Sequence, residues 1–140
     1  MSDGAEVTGL AHVAIATRDA DALAARLVAG LGAERGSEEI LDGGALRLVF
    51  VTLGPLTLEL LEPRSPDHTV ARFIEKRGEG LHHLSLEVAD VAAALARARR
   101  AGVEAIDAAP RPGAHGTSVA FLHPGSLGGV LFELSGGNEE

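Results

Sequence analysis

The stretch Leu10-Ala-His12-Val-Ala-Ile-Ala16 returns later in the chain as Leu81-His-His83-Leu-Ser-Leu-Glu87, with His12 and His83 placed 71 residues apart. The same offset brings Asp19 onto Asp90, Leu48-Val-Phe50 onto Val119-Ala-Phe121, and Gly54 onto Gly125. One such match is commonplace, whereas four along one diagonal point to a duplication. A period of about 70 residues is too long for a solenoid unit. The repeat reads as a duplicated half-domain.

Each half carries the same order of patterns. Residues 9–16 and 81–88 alternate as strands. Asp19 or Asp21 can cap a helix that carries Leu23, Leu27 and Leu31 and stops at Gly32. Asp90 caps a second helix with Val91, Ala94, Leu95 and Ala98 on one stripe, ending at Gly102. Three extended stretches follow each helix: around 33–40, 46–53 and 56–61, then around 105–108, 117–122 and 129–134. Between the halves, Val70, Phe73 and Ile74 stand at helical spacing ahead of Gly78. The expected fold class is α+β, a βαβββ unit used twice. It is expected as one domain, with module one over about 9–62, a linker helix over about 66–78 and module two over about 80–135.

Bulk properties narrow the function classes. A chain of 140 residues supports one well-formed core. With 46% hydrophobic and 23% charged residues, the composition is that of a soluble globular protein. Arg47 and Thr52 interrupt the longest apolar run, so no membrane span is expected. The opening residues Met1-Ser-Asp-Gly-Ala-Glu6 do not read as a secretory signal. The absence of cysteine removes disulfides and thiolate metal sites. A cytoplasmic location is expected. A net charge of −8, with four Phe as the whole aromatic complement, argues against nucleic acid. It also requires a local basic pocket for any anionic substrate.

Strand parity sorts the histidines. In 81–88, His82 shares a face with Leu84, Leu86 and Val88, whereas His83 shares the other with Ser85 and Glu87. His83 is therefore the better candidate for a polar cleft. His12 shares its face with Ala14 and Ala16, whose small side chains leave room beside it. The last strand of each half adds a carboxylate inside an apolar run, Glu59 in Thr57-Leu-Glu59-Leu-Leu61 and Glu133 in Val130-Leu-Phe132-Glu133-Leu134. A carboxylate in a buried strand is costly unless paired or bound to a cation. Glu59 and Glu133 lie 74 residues apart, so the final hairpin of the second half must be three residues longer. The strict offset of 71 would pair Glu133 with Glu62 instead. Glu59 is preferred because Glu62 precedes Pro63 at the strand end. Two neutral imidazoles and two carboxylates suit a divalent ion such as Co²⁺, Mn²⁺, Ni²⁺ or Zn²⁺, with open positions for substrate oxygens.

Several longer segments are more specific: Ile74-Glu-Lys-Arg-Gly78-Glu-Gly-Leu-His-His83, Pro110-Arg-Pro-Gly-Ala-His-Gly116, Phe121-Leu-His-Pro124 and Gly128-Gly-Val-Leu-Phe-Glu133-Leu. With these, the chain from about residue 9 to 135 resembles the methylmalonyl-CoA epimerase family of the vicinal oxygen chelate (glyoxalase/bleomycin resistance/dioxygenase) superfamily. The resemblance implies a glyoxalase-like fold, with paired βαβββ modules forming a cupped mixed sheet around a metal. It implies one divalent ion per chain, Co²⁺ first, held by His12, Glu59, His83 and Glu133. Some relatives carry glutamine at the position of Glu59. The implied reaction interconverts the C2 epimers of methylmalonyl-CoA by α-proton transfer through a metal-stabilised enolate, in a homodimer whose partner molecule is an acyl-CoA. The resemblance implies Glu133 as the catalytic group on one face of C2.

Two positions depart from the family pattern. Leu48 stands where some relatives place a glutamate, which leaves the second acid/base group unassigned. Gly125 stands where many carry lysine. Glu38, Glu39 and Asp42, in the segment ahead of Leu48, read as solvated charges, though a loop acid such as Glu39 or Asp42 could supply the missing group. The resemblance places residues 110–116 beside the substrate channel, with Arg111 available for an anionic group. His68, His82, His115 and His123 read as structural, and Phe73 and Ile74 as core. The competing readings are a glyoxalase-I-like isomerase acting on a glutathione thioester, a metal-free drug-binding protein of the bleomycin-resistance kind, and a domain with a vestigial site.

Overall fold

The computed structural model describes residues 3–137; Met1 and Ser2 of the opening segment lie outside that range. Contacts divide the chain into two compact units, one spanning residues 12–82, the other combining the residues up to 11 with those from 83 onward.

The 12–82 unit contains the second half of β1 (Val7–Ala16), then α1 (Ala20–Leu31), β2 (Glu34–Leu41), β3 (Leu46–Leu53), β4 (Leu56–Pro63) and α2 (Thr69–Arg77). Its strands hydrogen-bond in the order β2-β3-β4-β1. β3 runs antiparallel to both neighbours, and β4 runs parallel to β1 with Ala14 beside Glu59 and Ala16 beside Leu61. Asp19 starts α1 by accepting the Ala22 N–H at 3.0 Å. Gly32 ends it in the left-handed region at φ 76, where a side chain would be strained. The helix covers one face of the strands, packing Ala20 and Ala24 on Val49, Val51, Leu58 and Leu60. Val49, Val51 and Leu60 are completely buried, and each such side chain contributes about 1.5–3 kcal/mol. Period-two alternation turns His12, Ala14, Ala16, Leu48, Phe50, Glu59 and Leu61 onto the opposite face.

The second unit places the start of β1 beside the end of β5 (Gly80–Val88), where Thr8 Oγ1 donates to the Glu87 carbonyl at 3.2 Å. After β5 come α3 (Val91–Arg100), β6 (Arg111–Pro112), β7 (Ser118–Leu122) and β8 (Phe132–Gly136), with strand order β5-β8-β7-β6. Asp90 caps α3 by accepting the Ala93 N–H at 3.1 Å. The helix packs Val91, Ala94 and Leu95 on Val88, Ala120, Leu122 and Leu134. His83, Ser85, Val119, Phe121 and Glu133 face the other way.

The two units repeat one another in register as well as in element order. Glu59 lies between Phe50 and Ala14, and Glu133 lies between Phe121 and Ser85. Both pairs of flanking residues are 71 apart, so the two glutamates occupy equivalent positions. The extra three residues fall in the β7–β8 connection, which holds a short helical turn at Pro124–Ser126.

One expected strand is absent. Residues 105–108 form only an isolated bridge between Ala105 and Leu122. Asp107 Oδ2 takes the Phe121 N–H at 2.7 Å, so a side chain occupies the ladder position that a backbone carbonyl would fill. Pairing with β7 resumes at Arg111–Pro112. Glu38 and Glu39 lie within β2 rather than in a loop, Glu38 exposed and Glu39 half-buried.

Candidate functional site

On the face of the 12–82 unit away from α1, His12 Nε2 lies 3.3 Å from Glu59 Oε1. The β1–β4 parallel register brings them together, and Ala14 and Ala16 leave the space that the pair occupies. In the second unit His83 Nε2 lies 3.7 Å from Glu133 Oε1. Glu59, His83 and Glu133 are only 5%, 6% and 7% exposed. Each unit therefore presents one imidazole and one carboxylate at equivalent positions of equivalent faces.

The surroundings of the His83–Glu133 pair are built in detail. The Phe121 ring meets the His83 ring edge-on, with centroids 5.0 Å apart at 89°, which fixes the imidazole's orientation. The Arg111 guanidinium stands 5.5 Å from the centre of the same Phe121 ring. Asp107 holds it there by accepting Arg111 Nε–H at 3.0 Å. Ser85, beside Glu133 in the β5–β8 register, is completely buried, and its Oγ has no hydrogen-bond partner among the described residues. A buried hydroxyl left without a protein partner commonly marks a place where a ligand, ion or water belongs.

Glu62, the alternative ligand by strict offset, is engaged on the opposite face. It accepts the Ala20 N–H at 2.8 Å at the start of α1 and lies 3.4 Å from Arg47. Arg47 also binds Asp21 and Glu38, both at 2.9 Å. This network ties β2, β3 and β4 to α1, and sequence reading missed it. The hydrogen bonds from Arg47 and then Arg35 pull the Asp21 carboxyl down to about 2, and Arg47 lowers Glu38 as well. Asp42 stands 2.7 Å from His68 Nε2, and His68 Nδ1 accepts the Val70 N–H to cap α2. Burial pushes His82 down to about 4, against the Phe73 ring at 4.7 Å, so it is neutral near pH 7. His123 caps the turn after β7 by accepting the Gly125 N–H. His115 stands in the turn before β7 at φ 55.

The sequence model described as glyoxalase/bleomycin resistance protein/dioxygenase superfamily matches residues 11–121. The chain belongs to this superfamily. The ethylmalonyl-CoA/methylmalonyl-CoA epimerase of Cereibacter sphaeroides is 40% identical over 127 residues, covering 89% of this chain and 95% of that protein. The mitochondrial methylmalonyl-CoA epimerase of Homo sapiens is 38% identical over 126 residues, covering 89% and 72%. Among solved structures, a variant of the Streptomyces coelicolor methylmalonyl-CoA epimerase in complex with 2-nitronate-propionyl-CoA superposes with a TM-score of 0.88. It is 34% identical, and the match covers 96% of this chain and all of that one. The superposition with the solved structure shows that the chain shares its α+β fold.

The donor chemistry fits a divalent ion. Imidazole nitrogen and carboxylate oxygen are the ligand types of Co²⁺, Mn²⁺, Ni²⁺ and Zn²⁺ sites that keep open positions. Burial of both carboxylates is costly without a cation. No helix among the described residues is long and apolar enough to cross a membrane.

Proposed function

We propose that the chain is an isomerase that interconverts the two C2 epimers of methylmalonyl-CoA. The observation that carries this reading is the matched pair of His–Glu couples, His12–Glu59 and His83–Glu133, in which all but the partly buried His12 are buried, in a chain similar to methylmalonyl-CoA epimerases over most of its length. The relatives favour it over a glyoxalase-I-like isomerase and over a metal-free drug-binding protein.

In this reading His12, Glu59, His83 and Glu133 hold one divalent ion per chain, with Co²⁺ the first choice. When bound, such an ion supplies Lewis acidity toward the thioester carbonyl oxygen and the free carboxylate of the substrate, lowering the cost of charge that develops as C2 loses its proton. Glu133 takes the C2 proton from one face of one epimer, the product epimer forms when a proton is delivered to the opposite face, and in the reverse direction Glu133 is the donor. Phe121 keeps the His83 ring in its orientation, and the burial of the pair keeps bulk water from the reacting carbon. Arg111, placed by Asp107, offers a fixed cation to an anionic group of the acyl-CoA in a protein whose net charge of −8 would otherwise repel it.

The protein is further proposed to act in the cytoplasm as a homodimer, since β2 and β6 end the strand order among the described residues. A monomeric mass in sedimentation at micromolar concentration would contradict the dimer. For the activity, the test is to give metal-loaded protein one pure C2 epimer of methylmalonyl-CoA and follow the appearance of the other. An unchanged single epimer removes the reading.

A further inference from the structure

We infer that Ser85 is a positioning residue for Glu133: its hydroxyl donates to the Glu133 carboxylate once the couple with His83 takes up its ion, and so fixes how that carboxylate is presented. The inference rests on the metal site of the epimerase reading above and concerns residues of the second unit alone.

The observation is a hydroxyl where hydroxyls are seldom left. Ser85 is completely buried in β5, and its Oγ has no hydrogen-bond partner among the described residues. Such a group costs stability in the resting fold. A polar group at that cost points to an acceptor that arrives in the working state.

Position says which acceptor. Full burial keeps substrate and bulk solvent from touching the hydroxyl, so it acts through a neighbouring side chain. Ser85 pairs with Glu133 across β5–β8, and both face away from α3. On its other side Glu133 pairs with Phe121, which carries no side-chain donor. The Phe121 ring orients the His83 imidazole edge-on at 5.0 Å. It cannot do the same for a carboxylate, because the last torsion of a glutamate is broad and roughly two-fold. A hydroxyl, whose hydrogen rotates to suit its acceptor, restricts that torsion. Glu133 Oε1 stands 3.7 Å from His83 Nε2, too long for a hydrogen bond and suited to two ligands of one ion.

The duplication supplies an internal control. Ala14 is the repeat counterpart of Ser85 and flanks Glu59 as Ser85 flanks Glu133. Phe50 flanks Glu59 as Phe121 flanks Glu133. Ala14 is also completely buried, so the strand is built equally well with alanine at this position. The hydroxyl is a difference between the modules. It stands beside the glutamate to which the reading above gives proton transfer as well as metal binding, and a donor behind a ligand holds its orientation and tunes the ion.

The test removes the hydroxyl and reads the ion directly. Co²⁺ is titrated, by calorimetry and visible absorption, into metal-free wild type, Ser85→Ala and Ser135→Ala, the last a control for loss of another buried serine hydroxyl. Ser85→Ala should bind Co²⁺ about 10–100-fold more weakly with an altered visible spectrum, while Ser135→Ala stays within about threefold of wild type. The metal-free Tm of Ser85→Ala should equal or exceed that of wild type, because a buried unsatisfied group is gone. Wild-type affinity and spectrum in Ser85→Ala overturn the inference and leave the epimerase reading standing. Weaker binding with a lower metal-free Tm also overturns it, because the hydroxyl is then structural, as does an equal loss in Ser135→Ala. The predicted Co²⁺ loss in a protein that leaves a single C2 epimer unchanged supports the inference while the epimerase reading falls. If wild type binds no Co²⁺, the metal site falls and takes the inference with it.

Discussion

Replacing Asp107 with alanine removes one carboxylate that serves two partners. Oδ2 accepts the Phe121 N–H at 2.7 Å and Oδ1 accepts Arg111 Nε–H at 3.0 Å. The Asp107 side chain is 17% exposed and that of Arg111 is 48% exposed. Leaving the partly buried Phe121 N–H without its acceptor costs about 1–3 kcal/mol. The half-exposed ion pair adds about 0–1 kcal/mol. A total near 2–3 kcal/mol, at about 3 °C per kcal/mol for a chain of this size, lowers Tm by roughly 6–9 °C in scanning calorimetry. Asp107→Asn keeps an oxygen for the Phe121 N–H and loses only the charge facing Arg111, so its Tm should fall by about 3 °C or less. Both variants release Arg111 from its place over the Phe121 ring. If that arginine binds an anionic group of the acyl-CoA, KM rises about 3–10-fold with kcat within about twofold, the pattern of a lost uniform binding contact. Arg111→Ala should reproduce the KM effect with little change in Tm. Equal Tm values for the alanine and asparagine variants would refute the backbone-amide argument. An unchanged KM in all three would refute the role given to Arg111.

The network on the α1 face and the metal donors give two further predictions. Arg47→Met should destabilise the protein at neutral pH with a characteristic acid dependence. Arg47 lowers the Asp21 and Glu38 carboxyls, so the stability they contribute is present above the unfolded carboxylate range and is lost as pH falls through about 2. The difference in urea midpoint between wild type and Arg47→Met should therefore be full above about pH 5 and shrink between about pH 4 and 2; a difference that stays constant to pH 2 contradicts this cause. His12→Ala and His83→Ala should each lower bound divalent metal, measured by elemental analysis, whereas Glu62→Gln should retain it because Glu62 serves α1 and Arg47. Full metal content in His83→Ala would remove it from the ligand set.

The fold was legible where single-strand and single-helix signals sufficed. Alternation in 81–88 separated His83 from His82, and the structure buries His83 with Ser85 while His82 packs on Phe73. Asp90 and Gly32 announced helix ends, and of the two candidates Asp19 and Asp21 it is Asp19 that caps α1, because capping is local chemistry. Facts that depend on pairing between strands were not legible. The choice between Glu59 and Glu62 as the counterpart of Glu133 needed the cross-strand neighbours Phe50 and Ala14, since the β7–β8 connection breaks the constant offset. Glu39 could not be separated from Glu38 without the bulge that sets which of them faces Leu48. The expected strand at 105–108 failed because Asp107 bonds the β7 backbone through its side chain, which no propensity pattern announces. Arg47 read only as an interruption of an apolar run. A lone charge in a strand flanked by Leu46 and Leu48 signals an ion-pair partner on the helix side, and that was the signal available.

The central claim, metal-dependent proton transfer at C2 of an acyl-CoA, is tested most directly by deuterium incorporation. Methylmalonyl-CoA is incubated in deuterated water with the metal-loaded protein, and in parallel with protein stripped by a chelator, and the C2 proton signal is followed by NMR. The account predicts loss of that signal from both epimers with the loaded protein, no loss above background with the stripped protein, and recovery when the ion is restored. Equal exchange with and without the ion, or no exchange with the ion bound, would contradict it.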